Sequence, residues 1–237
     1  MQPVENVSVK QIVTRLEENN LKRRQALQGY SSQREYHLLY TGFAGRHEAD
    51  MVVSVKYEAP ASKDFTVVSE SGSHWIANRV FKRLMETERE AADEKNQERT
   101  ALSEDNYDFE LLGEEQLDGR PAYVLKAEPK TSSKLLYRGK IWVDAEDFAL
   151  AKIEAEPAKQ PSFLISKTIV HHRYHKIADF WLPVENLSTT DVRLGGHATL
   201  SIHYGDYKVV AQSQATQPPP VAGGHMPLDG IIGDLVK

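Results

Sequence analysis

The feature that most constrains this 237-residue chain is a hydrophobic period of two that recurs along most of its length. Met51, Val53, Val55 and Tyr57 alternate with Val52, Ser54 and Lys56, and such alternation sends the two sets of side chains to opposite faces of a strand. Tyr36, Leu38 and Tyr40 do the same before a Gly42 to Gly45 turn, and Phe65 and Val67 open a third strand after Ala59-Pro60-Ala61-Ser62. From Tyr107 the pattern resumes in Phe109 to Leu112, Ala122 to Lys126, Tyr137 to Asp144, Phe148 to Glu154, Phe163 to Lys176, Trp181 to Arg193 and Ala198 to Val209. Asp118-Gly119-Arg120-Pro121, Asp144 to Asp147 and Gly195-Gly196 supply the turns between them. Successive strands with short connections make an antiparallel meander, and a sheet that wide curls instead of staying flat. The expected fold is mainly β (α+β): an unclosed antiparallel half-barrel of roughly nine to eleven strands, with helices covering the concave face.

Two helical segments interrupt the alternation. Ser8 and Gln11 form a capping-box pair with Val7 and Ile12 as its staple, and Val9, Ile12, Val13 and Leu16 fall on one face. Gly29 is the expected stop of this first helix. In the second, Ala77, Val80, Phe81 and Leu84 line one face, whereas no large apolar residue occurs from Glu86 to Thr100. The expectation is that the apolar half docks on the sheet and the charged half, with nothing to bury, projects into solvent or lies over an opening. Past residue 210 the composition shifts to Gln217-Pro218-Pro219-Pro220 and Gly223-Gly224. This divides the chain into a half-barrel domain over 1–210 and a Pro/Gly-rich tail over 211–237, which ends on the apolar Ile231, Ile232, Leu235 and Val236.

Chemistry is sparse. The formal charge of −5 argues against a nucleic-acid partner. The absence of cysteine removes disulfides, thiol catalysis and thiolate metal sites. No run approaches the roughly 18–20 apolar residues of a membrane span, and Met1-Gln2-Pro3-Val4-Glu5 lacks the pattern of a leader peptide. His171-His172-Arg173-Tyr174-His175 resembles a zinc-binding pair only on a helix. Its neighbours read as strand, which separates residues four apart by about 13 Å, too far for two ligands of one ion. Asp144, Glu146 and Asp147 sit in a hairpin turn, where Asp serves the backbone. No nucleophile elbow or phosphate loop occurs, so neither an enzyme nor a cofactor is expected. What remains is a curled sheet with apolar residues facing inward: Met51, Val53, Val55, Phe65, Val67, Tyr123, Leu125, Ile141 and Val143. They serve either as plain core against the helices or as the lining of a cleft, which is the default ligand site of such a shape.

Several segments carry a family resemblance. Tyr137-Arg138-Gly139-Lys140-Ile141-Trp142-Val143-Asp144 turning into Phe148-Ala149-Leu150-Ala151-Lys152-Ile153-Glu154, the later Asp179-Phe180-Trp181-Leu182-Pro183-Val184-Glu185, and Tyr107 to Gly113 with Gly119 to Leu125 all contribute. Together with the order of elements over residues 8 to 210, they resemble the outer-membrane lipoprotein-sorting (LolA/LolB-like) superfamily. That resemblance implies an unclosed barrel with a helical lid, a periplasmic location and a cavity for acyl chains. On this reading the chain is a non-catalytic carrier of a lipid or acylated lipoprotein, with Ile76, Val80, Phe81 and Leu84 as a movable cover. The alternative is a periplasmic signalling or assembly module that binds a partner protein, a membrane-associated one included, through its sheet edge or C-terminal segment.

Overall fold

The computed structural model describes residues 7–43, 45–60, 62–91, 99–133, 135–160, 165–193 and 195–211. The expected tail past Ala211 therefore lies outside the described residues. Among them, ten strands form one antiparallel sheet: β1 (Leu27–Gly42), β2 (Gly45–Glu58), β3 (Ser62–Gly72), β4 (Tyr107–Leu117), β5 (Arg120–Pro129), β6 (Tyr137–Asp144), β7 (Leu150–Pro157), β8 (Ile165–Ile177), β9 (Phe180–Val192) and β10 (Gly196–Ala211). Their order is β3-β2-β1-β10-β9-β8-β7-β6-β5-β4, so β3 and β4 are open edges and the half-barrel does not close. The non-sequential neighbours are β1 and β10, which pair from Leu27↔Ala211 to Thr41↔His197 and join the beginning of the sheet to its end.

Helix α1 (Val9–Ala26) starts on the capping box: Gln11 N donates to Ser8 Oγ at 3.3 Å, and Ser8 N donates to Gln11 Oε1 at 2.9 Å. The helix stops at Ala26 and not at Gly29. Gly29 is already in β1, paired with Glu58, where a Cβ would stand 2.6 Å from the Tyr57 carbonyl oxygen. The glycine answers a close strand approach instead of a helix cap. Between β3 and β4 lies a helical run of α2 (His74–Ile76), a π-helical turn over Ala77–Phe81 and α3 (Lys82–Ala91). At the end of that turn the Lys82 N–H reaches the Ala77 carbonyl, five residues back.

The two helices cover different parts of the concave face and create two cores. Ile12, Val13 and Leu16 of α1 pack with Tyr107, Tyr123, Leu125, Ile141, Val143 and Ile153 from strands β4 to β7. Ile76, Val80, Phe81 and Leu84 pack with Tyr36, Leu38, Met51, Val53, Val55, Leu200 and Ile202 from β1, β2 and β10. The α1 end is tied down at the β6–β7 turn, where Asn19 Nδ2 and the Arg23 guanidinium donate to the Asp147 carbonyl and Arg23 also reaches the Phe148 carbonyl.

One glycine carries a testable consequence. Gly139 in β6 has φ +157°, and a Cβ there would lie 2.3 Å from the Glu154 carbonyl oxygen and 2.6 Å from Ala155 Cα. Gly139→Ala is expected to force β6 from β7 and lower stability in urea unfolding by about 2 kcal/mol or more. Gly45→Ala, at φ +96° with open space around the new atom, should cost only about 1 kcal/mol.

Candidate functional site

The candidate ligand residues divide between the two cores. Met51, Val53, Val55, Ile76, Val80, Phe81 and Leu84 lie in the first, and Phe65 packs on its edge, partly buried. Tyr123, Leu125, Ile141 and Val143 lie in the second, under α1. Val67, in register with the buried Val53, stands on the open edge strand and is 43% exposed. On the sheet β2 and β6 are six strands apart, about 29 Å measured along its surface. Within the second core a gap of only about 10 Å³ is lined by Leu102, Tyr107, Ala127, Tyr137, Gly139, Ile141, Ile153 and Ala155. That is below the usual size of a pocket for a lipid-sized ligand.

The helix over the first core is fastened by charge. Arg34 projects from β1 on the same face as Tyr36 and Leu38, almost wholly buried, and its Nη1 donates to Glu88 Oε2 of α3 at 2.6 Å. The Lys63 ammonium of β3 reaches the other carboxylate oxygen. The Arg34 guanidinium also lies 4.7 Å from the centre of the Tyr204 ring and 5.6 Å from that of Phe65. Burial alone would raise the Glu88 carboxyl, but the two cations and their hydrogen bonds bring it down to about 2. Lys63 is held above its ordinary value: burial opposes its charge, and Glu88 outweighs that. The expectation that the charged half of this helix has nothing to bury is thus corrected. Thr87 and Glu88 are buried, because two inward-pointing cations of the sheet await the carboxylate.

Sequence reasoning passed over this triad, although it left a signal. Tyr30, Ser32, Arg34, Tyr36, Leu38 and Tyr40 share one parity of β1 and are all buried, so a charge at Arg34 breaks an inward-facing set. The same parity argument marks a polar stripe in the middle of the sheet: Thr168 and His172 on β8, and Asn186, Ser188 and Thr190 on β9, are buried on the concave face. Thr168 and Thr190 satisfy each other through their hydroxyls at 3.1 Å.

The remaining polar clusters are structural. His171 pairs with Glu154 at 3.6 Å, while Arg173 and His175 share Asp118 at 2.8 and 3.4 Å, all partly exposed on the convex face. His172 points the other way and stacks on Tyr174. Among the described residues no three His, Asp or Glu side chains gather as metal ligands. Asp144 is buried, accepts from Arg120 Nε at 2.6 Å and Nη2 at 2.9 Å, and takes the turn amides of Glu146 and Asp147. Asp147 accepts from Lys176 at 3.1 Å and from Trp181 Nε1 at 3.0 Å, which joins the β6–β7 turn to β8 and β9. These carboxylates are committed to holding strands together. Among the described residues no helix is long and apolar enough to cross a membrane.

Taken together, the chain is a mainly β protein of the open half-barrel kind, with two helical covers on one face and a buried ion triad beneath one of them. It belongs to the family described as "-like: Uncharacterized protein", whose model matches residues 80–214, more than half of the chain. Among solved structures it is similar to a putative outer-membrane lipoprotein-sorting protein domain from Vibrio parahaemolyticus, at 11% identity and a TM-score of 0.40, covering 84% of this chain and 92% of that one. It is similar to a DUF1329 family protein from Desulfovibrio piger at 16% identity and a TM-score of 0.39, covering 85% and 92%. A LolA superfamily protein from Nitrosomonas europaea matches at 15% identity and a TM-score of 0.34, covering 87% and 94%. No curated protein matches the sequence.

Proposed function

We propose that this protein is a non-catalytic carrier that binds the acyl chain of a lipid or lipoprotein on the concave face of its half-barrel, in the periplasm. The observation that carries this reading is the cover formed by α2, the π turn and α3. Its apolar side chains Ile76, Val80, Phe81 and Leu84 lie on an apolar sheet face, and an acyl chain offers that face the same chemistry. Each buried methylene of such a chain contributes about 0.8 kcal/mol, so affinity arises without directional contacts. The π turn in the middle of the cover is the type of helical irregularity that recurs at functional sites. Because Met51, Val53, Val55, Val80 and Phe81 are already buried, a chain enters by displacing the cover, not by filling a preformed hole.

The periplasmic location rests on the resemblance of the strand segments to lipoprotein-sorting proteins. Native mass spectrometry of the purified protein, combined with lipid extraction and offered acylated peptides, tests the reading. Retention or uptake of an acylated molecule is the expected result; a protein that neither retains nor accepts one removes the carrier function.

One observation favours a second reading, a module that binds a partner protein. Among the described residues no strand pairs with the outer side of edge strand β3, which exposes Val67 and Val68, the setting for strand addition. It predicts that Val68→Lys abolishes capture of a partner while leaving any acyl binding unchanged.

A further inference from the structure

The polar stripe between the two cores contains one side chain that the fold does not satisfy. Asn186 is wholly buried, and neither its Nδ2 nor its Oδ1 has a hydrogen-bond partner. Its position is fixed by register. Ile153, His172, Asn186, Ile202, Tyr36 and Met51 form one row across six strands, each paired with the next. Ile153 belongs to the core under α1, whereas Ile202, Tyr36 and Met51 belong to the core under the second helical cover. Asn186 therefore marks the polar seam where the two apolar surfaces meet. On the neighbouring strand, the Tyr204 hydroxyl is also buried without a partner.

A central strand of a sheet is a poor place for an unsatisfied amide. Asn is depleted in strands, and a buried polar group without a partner destabilises the folded state. A leucine of nearly the same shape would remove that penalty. Buried groups of this kind in native proteins call for an explanation, of which a missing ligand is one.

Building on the carrier reading above, we propose that Asn186 is a specificity residue that recognises an acyl chain attached through an amide. The Nδ2 group needs an acceptor and Oδ1 needs a donor. An amide linkage offers a carbonyl to the first and an N–H to the second. An ester offers only acceptors and leaves Oδ1 unanswered; an ionised carboxylate does the same. The acyl chain then runs from the seam onto the apolar face beneath Val80 and Phe81. Two sources share this chemistry: an acylated peptide and an N-acylated amino alcohol.

The test compares three probes of equal chain length on the full chain: N-hexadecanoyl-alanylglycine, N-hexadecanoyl-ethanolamine and the methyl ester of hexadecanoic acid. Each is measured by displacement of a fluorescent fatty acid from the wild type and from Asn186→Leu. The wild type is expected to bind at least one amide probe about tenfold tighter than the ester, and which amide binds best identifies the source. Asn186→Leu is expected to bring the amide probes to the level of the ester, to leave ester binding unchanged, and to raise the thermal midpoint of the unliganded protein by roughly 3 °C. Ester binding without amide preference in the wild type, a preference that survives in Asn186→Leu, or a lowered midpoint in that variant overturns the subsite and leaves the carrier reading intact. Failure of the wild type to bind any of the three removes the carrier reading, and this inference with it.

Discussion

Glu88→Gln is expected to destabilise this protein by about 4 kcal/mol at pH 7, one of the largest effects of any single substitution that adds or removes no bulk. The carboxylate joins Arg34 and Lys63, which come from strands on either side of β2, to the helix that covers them. Glutamine keeps the shape and removes the charge, so the buried Arg34 and the partly buried Lys63 are left with no anion between them. Equilibrium urea unfolding should show a lowered midpoint with an unchanged slope. The pH dependence gives the sign independently. The Glu88 carboxyl is depressed from 4.5 to about 2 in the folded state, so the unfolded chain binds the proton more readily. Its contribution is fully present above about pH 4.5 and is lost as the pH falls toward 2, a difference of roughly 3 kcal/mol. The gap in stability between wild type and Glu88→Gln should therefore be constant from pH 7 to 5 and shrink steadily below pH 4.5. A gap that stays constant down to pH 3 would show that the carboxylate carries no folded-state charge pairing. Replacing all three residues at once, with Arg34→Met, Lys63→Leu and Glu88→Leu, should recover most of the loss, because the charges then leave together with their desolvation cost.

That triad also shows where sequence reasoning stops. The alternation of Met51, Val53 and Val55 yields β2 directly, and all three are buried as period two requires. Ser8 and Gln11 likewise mark the start of α1, since a capping box is local chemistry. The partner of Arg34 lies 54 residues away on a helix, and no local pattern connects them. The same holds for Gly29, whose helix-stop character is overruled by the neighbouring strand at Tyr57. The candidate binding residues illustrate a subtler limit. Parity places Met51 and Ile141 on the concave face, but the order of strands is set by the closing of β10 onto β1. Only that long-range pairing separates the two residues into different cores under different helices. A single apolar list becomes two surfaces, and the polar seam at Asn186 becomes visible only between them.

Phe81→Ala distinguishes a movable cover from permanent core. Phe81 is wholly buried in the π turn and packs on Tyr36 of β1, with ring centres 5.6 Å apart. Truncation should cost about 3 kcal/mol or more of stability, read in urea unfolding, whichever role the helix has. Binding then separates the two. If an acyl chain enters by displacing the cover, the ligand competes with Phe81 for the same sheet face, and the cost of opening is subtracted from its affinity. Loosening the cover by 3 kcal/mol reduces that cost by up to the same amount, which is a gain of up to about 100-fold in affinity. The variant would be less stable and bind more tightly. A ligand held in a preformed site with Phe81 as part of its wall gives the opposite: lower stability together with weaker binding, since the ring's contact area is lost. Leu16→Ala on α1 is the internal control. It removes a wholly buried side chain from the other core and should cost comparable stability without strengthening acyl binding. A parallel gain in Leu16→Ala would mean that general loosening, not release of the cover over β1, β2 and β10, governs access. The combination of a weakened fold and a strengthened ligand, confined to the α2–α3 segment, is the thermodynamic signature of a lid that its own ligand replaces.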